Sequence, residues 1–170
     1  MTRPAPVTRP ASEPLAELIV RLLTERRQTV AVAESLTGGL LAASLVEVPG
    51  ASVVLRGGIV AYATDLKSAL LGVPVSLLEH YGAVHAGVAS AMAEGVRKRL
   101  DATFGVATTG VAGPDPADGL PVGTVYIAAS GQLSTVHRGL SLAGGRRSIR
   151  DQAVQQSLLL LQGMLEAQGA

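Results

Sequence analysis

The chain has 170 residues, 14 basic and 13 acidic, for a net charge of +1; that is the size of one domain with a real core, and it carries no field to steer it toward nucleic acid or acidic partners. One Phe, three Tyr and no Trp leave little aromatic surface for stacking bases, and the absence of Cys excludes disulfides and thiolate metal sites. His80, His85 and His137 lack metal-ligand spacing, and no apolar run reaches the ~18 residues of a membrane span, so the chain reads as cytoplasmic, with no membrane or direct nucleic-acid binding expected.

Residues 1–11 are rich in Pro, Arg and Ala and lack the apolar stretch of a signal peptide; they read as a flexible tail, and 12–170 as a single domain. Ser12, Glu13 and Pro14 are good helix starters, and Leu15, Leu18, Ile19, Leu22 and Leu23 then recur on one helical face until Arg26 and Arg27. A short apolar strand, 29–33, runs into residues 33–39, Ala-Glu-Ser-Leu-Thr-Gly-Gly, and an Ala/Leu-rich helix over 40–48 leads away until Pro49 and Gly50 stop it. A glycine turn between strand and helix exposes Ser35, and it aims N–H groups of the first helical turn at whatever sits there. Thr37 is the expected N-cap, and Gly38 and Gly39 let a ligand approach the backbone. A serine at such a junction is more often a cap than a nucleophile. Two later stretches raise Ser35 above that reading.

Residues 53–62 form the next strand, with Gly57 and Gly58 marking a bulge or close backbone contact. Tyr62 falls at its end, Asp65 in the first turn of a short helix, and Lys67 about one turn on. Taken alone, these are an edge-of-core tyrosine and a solvated lysine. A turn and short helix follow over 72–82, then an amphipathic helix over 86–100 ending in Arg97, Lys98 and Arg99. A third apolar strand, 104–108, enters a long Gly/Pro/Asp loop over 109–119, whose backbone can form an anion nest. Strands at 123–129 and 133–140 make a hairpin, and a last helix runs from about 144 to 165. Arg146 and Arg150 share one face near its start, suited to a phosphate or simply a surface pair. Residues 158–161, apolar nearly all round, suggest a homodimer or higher assembly.

This order predicts a three-layer α/β/α domain with a mixed, mostly parallel sheet of about five strands, one of them antiparallel. Ligands bind such sheets beyond the carboxyl ends of the strands. There Ser35, Tyr62 with Lys67, and residues 109–113 would share one rim.

These stretches together resemble the CinA C-terminal domain family. The matching residues are 33–39, Gly58-Ile-Val-Ala-Tyr62 with Lys67, Leu71-Gly-Val73, Gly82-Ala-Val84, Thr109-Gly-Val-Ala-Gly-Pro114, Pro121-Val-Gly-Thr-Val125, and Arg146 with Arg150. They lie in order across roughly 12–165. The resemblance implies an α/β/α fold and, as in characterised members, a metal- and cofactor-independent deamidation of nicotinamide mononucleotide to nicotinic acid mononucleotide and ammonia. It implies Ser35 as nucleophile, with Tyr62 and Lys67 as activating partners. A desolvated, neutral Lys67 would take the serine proton, or a charged Lys67 would make Tyr62 the base. Helix-start N–H groups near Thr37, Gly38 and Gly39 are expected to stabilise the oxyanion, while Thr109, Gly110, Ala112, Gly113 and Arg146 hold the ribose phosphate. Four places depart from the family pattern: His85 for a serine, Pro116-Ala117 for glycines, Leu120 for a lysine and Gly145 for an aspartate. The alternatives are an amidohydrolase for another small amide or nucleotide, and a non-catalytic nucleotide- or partner-binding module linked to competence or the DNA-damage response.

Overall fold

Alternating side-chain size along β1 (Val30–Glu34) sets the two faces of the sheet: Val30 and Val32 point one way, Ala31 and Ala33 the other, and all are fully buried. The structure, a computed structural model, describes residues 13–168, so Ser12 and the tail expected over 1–11 lie outside the described residues. After α1 (Leu15–Arg26) and β1 come α2 (Leu40–Val46), a 3-10 turn (Ala51–Val53), β2 (Leu55–Val60), α3 (Thr64–Leu71), α4 (Val75–Tyr81), α5 (Ala86–Arg99), β3 (Phe104–Gly110), β4 (Thr124–Ser130), β5 (Thr135–Ser141) and α6 (Arg146–Gln168). The sheet order is β2-β1-β3-β4-β5. β1 pairs in parallel with β2 and β3, and the pairs β3–β4 and β4–β5 are antiparallel, so β4 alone runs against the others.

The valine face, continued by Phe104, Val106, Val125 and Ile127, packs under α1, α2 and α6. The alanine face, continued by Ala107 and Ala128, packs under α3, α4 and α5. Small residues there let α5 come close. A β-carbon on Gly105 would lie 2.0 Å from the Ala93 carbonyl oxygen, and one on Gly95 would lie 1.8 Å from that of Leu71. The leucines that suggested a subunit contact are mostly spent inside the chain. Leu158, Leu160 and Leu161 are buried in the valine-face core, and Leu159 is 40% exposed.

Local expectations are met with adjustments. The paired glycines of β2 do mark a bulge: the register with β1 skips Arg56, and Gly57 has φ 148. α1 begins at Leu15 with no side-chain cap, and Glu13 instead receives two bonds from the Arg21 guanidinium, each 3.1 Å. β3 runs on through Thr109 and Gly110, which pair with Tyr126 and Val125. Those two residues are strand, so the loop after it starts at Val111. Glu34, Val60 and Thr108 come level at the carboxyl ends of the three parallel strands.

Candidate active site

Beyond that edge, β1 turns sharply. The Ser35 N–H donates to the Thr108 carbonyl at 3.0 Å, and the Gly38 N–H closes a turn on the Ser35 carbonyl at 3.1 Å. Arg150 of α6 grips the turn from outside, its guanidinium donating to the carbonyls of Leu36 and Thr37, both at 2.9 Å. A trans peptide points its N–H opposite its C=O, so this grip aims the Thr37 N–H away from α6.

Thr37 is not the cap of α2. Its hydroxyl is fully buried against that of Thr108, 2.7 Å away, and the N-cap is Gly39, whose φ of 102 suits glycine. The carboxylate of Glu34 does the capping, accepting from the N–H groups of Gly39 at 3.0 Å, Leu41 at 3.0 Å and Ala42 at 2.8 Å. Nothing in the sequence reading gave Glu34 a role. The available signal was an acidic residue in a strand whose other positions are all apolar. Its consequence is direct: the Gly38 and Gly39 amides, expected at the oxyanion, are already engaged. Among the described residues, the amides of this turn with no protein acceptor are those of Leu36 and Thr37.

Lys67 lies on the inward face of α3, one turn before buried Leu71, and is 1% exposed. It is not the solvated lysine its position alone suggested. Its Nζ stands 3.1 Å from Ser35 Oγ, 2.8 Å from the Ala61 carbonyl and 3.4 Å from the Tyr62 carbonyl. Burial pushes this amine below its ordinary value, while the Asp118 carboxylate pulls the other way. Ser35 is itself 8% exposed.

Tyr62 meets Lys67 through its main chain, not its phenol. Tyr62 is 59% exposed, and its hydroxyl accepts from the Arg146 guanidinium at 3.1 Å. Arg146, the first residue of α6, also donates to the Gly113 carbonyl and so ties the end of β2 to the loop after β3. Thr109 turns its hydroxyl to the Ala83 carbonyl at 2.7 Å, and Ala112 is buried in the valine-face core. Of the residues expected to bind substrate, Arg146 and Gly113 reach the rim, Thr109 and Ala112 are engaged in the fold, and Gly110 is strand. Asp118, noted in sequence only as part of a loop, is exposed and lies against Gly82. Among the described residues no three His, Asp or Glu side chains gather as a metal site requires, and no helix is long and apolar enough to cross a membrane. A groove of about 1020 Å³ between α2 and α6 includes neither Ser35 nor Lys67.

Fold and site together define an α/β/α domain with a mixed five-stranded sheet and a buried serine–lysine pair at its carboxyl edge. Solved structures share this architecture. A competence/damage-inducible protein, CihA, from Agrobacterium tumefaciens superposes with a TM-score of 0.85 at 38% identity, covering 88% of this chain and 92% of that one. A CinA-superfamily protein from Escherichia coli gives 0.86 at 29% identity, covering 94% and 95%. A CinA-like protein from Frankia casuarinae is 52% identical over 155 residues, which is 91% of this chain and 36% of that protein. The chain thus spans little more than a third of the length of the curated relatives it matches. Residues 12–165 match the model of the CinA C-terminal domain, and the chain belongs to that family.

Proposed function

We propose that the chain is a metal-independent serine amidohydrolase that deamidates nicotinamide mononucleotide to nicotinic acid mononucleotide and ammonia. The observation that carries this reading is the setting of Lys67. A neutral amine has two N–H donors and one lone pair. Two carbonyls, of Ala61 and Tyr62, stand ready for the donors, and Ser35 Oγ stands 3.1 Å away for the lone pair. Burial favours that neutral form. Lys67 then takes the hydroxyl proton as Ser35 Oγ attacks the carboxamide carbon. It returns the proton to the departing nitrogen, ammonia leaves, and water repeats the sequence to release the carboxylate.

The oxyanion falls to the amides of Leu36 and Thr37, the ones in the turn without an acceptor. Arg146, at the positive end of α6 beside Tyr62, offers the fork that a ribose phosphate takes. Tyr62 in this arrangement steers Arg146, and Lys67 is the base. The test is release of ammonia and nicotinic acid mononucleotide from nicotinamide mononucleotide in the presence of chelator, with Ser35→Ala alongside. Product from the native chain and none from the variant is expected. No product from a folded chain that binds the nucleotide would replace this reading with a binding module.

A further inference from the structure

Among the described residues, ion pairs join Arg21 to Glu13 and Glu25 and Arg147 to Asp151. Arg150 has no carboxylate partner. α6 is anchored on either side of it by Ile149 and Ala153, both at most 1% exposed. Its guanidinium donates to main chain instead, Nε to the Leu36 carbonyl and Nη2 to the Thr37 carbonyl, each at 2.9 Å. Gly38 suits this close approach: its φ is 56, and a β-carbon there would stand 3.4 Å from Nη2. An uncompensated positive charge is thus applied to the turn that follows Ser35.

A peptide group joins the carbonyl of one residue to the N–H of the next, and the two point in opposite directions. A donor on the carbonyl polarises the group and strengthens its N–H in turn. The Leu36 carbonyl shares its peptide with the Thr37 N–H, so the bond from Nε acts on Thr37 directly. The bond from Nη2 acts in two steps. The Thr37 carbonyl shares its peptide with the Gly38 N–H, which donates to the Ser35 carbonyl at 3.1 Å. The Ser35 carbonyl shares its peptide with the Leu36 N–H. Both chains of bonds that start on the guanidinium therefore end on the amides of Thr37 and Leu36. Those are the two amides of this turn without a protein acceptor.

We propose that Arg150 is a positioning residue for the oxyanion. From the far side of the turn it orients and polarises both free amides for the charge that develops on the substrate oxygen. The inference rests on the serine–lysine reading above. Arg150 touches carbonyls that face α6, so its loss removes stabilisation of the transition state and leaves substrate binding in place.

The amide protons of the empty protein, followed by NMR, read the relay without substrate. In Arg150→Ala those of Leu36 and Thr37 are expected to move upfield together. Those of Gly39, Leu41 and Ala42, held by Glu34, should stay. For nicotinamide mononucleotide, kcat in the variant is expected to fall about 10- to 100-fold, up to the scale of one lost oxyanion donor, with KM little changed. Arg150→Lys, or ethylguanidinium added to Arg150→Ala, should recover part of that loss. Unmoved Leu36 and Thr37 protons would overturn the proposal. So would a shift shared by the three capped amides, which would make Arg150 a brace for the whole turn. A loss carried by KM would make it a substrate contact and overturn the proposal as well. A native chain that does not hydrolyse the nucleotide would sink the amidohydrolase reading, and the amide protons would still decide whether Arg150 reaches the free donors.

Discussion

The floor of the site and its rim are built from opposite materials. On the floor, Glu34, Ser35, Thr37, Lys67 and Thr108 are polar, at most 8% exposed, and bonded to one another or to main chain. At the rim, Tyr62 and Arg146 are exposed, and Arg146 alone ties two segments together. A buried polar network is costly if one member is missing, so the floor tolerates little change. An exposed rim can exchange residues at little cost in stability. The departures from the family pattern follow that division: Pro116, Ala117, Leu120 and Gly145 lie in or beside the rim loops and His85 heads α5, while none falls on the floor. In the proposed reading the floor carries the reaction and the rim carries recognition.

The hardest blow to the comparison comes from the floor. Lys67→Met keeps an unbranched side chain, one atom shorter, and deletes the proposed base. Hydrolysis is expected to fall on the order of 10³-fold with KM little changed, the scale of a lost general base. A fall of less than tenfold would move the base role to Tyr62 and put the working group at the rim. Next is Glu34→Gln. Two carboxylate oxygens accept three amides, and the glutamine has one acceptor oxygen, so its NH2 would face an N–H. A loss of about 2–3 kcal/mol in urea unfolding is expected. A near-neutral result would mean the turn is held by Arg150 instead.

The rim should respond differently. Arg146→Ala is expected to raise KM for nicotinamide mononucleotide about tenfold, or ~1.4 kcal/mol, with kcat and unfolding nearly unchanged. An unchanged KM would remove the phosphate role, and a large drop in stability would make Arg146 a structural clamp.

The same division marks what could be read from the sequence. Alternating Val and Ala in β1, the glycine bulge in β2 and the turn after the strand are local patterns, and each lay where its pattern placed it. Lys67 was harder. Its helical spacing to Leu71 puts it on the inward face, but a charged residue at one position of a short helix is solvated far more often than buried. Thr37 was misread because Thr is a common cap. The true cap, Glu34, belongs to the strand before the turn and reaches the helix only because the chain doubles back. Side chains whose role arises from non-local closure are the ones composition and spacing miss.

The smallest effect tests the floor without any substrate. Burial holds the Lys67 amine below its ordinary 10.5 in the folded chain. Between that lowered value and 10.5, the unfolded chain binds a proton that the native chain does not, so stability rises with pH across this window. Below it, Lys67 is protonated in both states and the full penalty of burying the charge is present. Lys67→Met has no such group. It leaves the Ala61 carbonyl without its donor, an effect that does not depend on pH. The urea midpoint of the native chain should therefore gain on that of Lys67→Met as pH climbs through the window, whichever is higher at neutrality. A constant gap would mean that Lys67 keeps an ordinary affinity for its proton and that the floor is wetter than its burial implies.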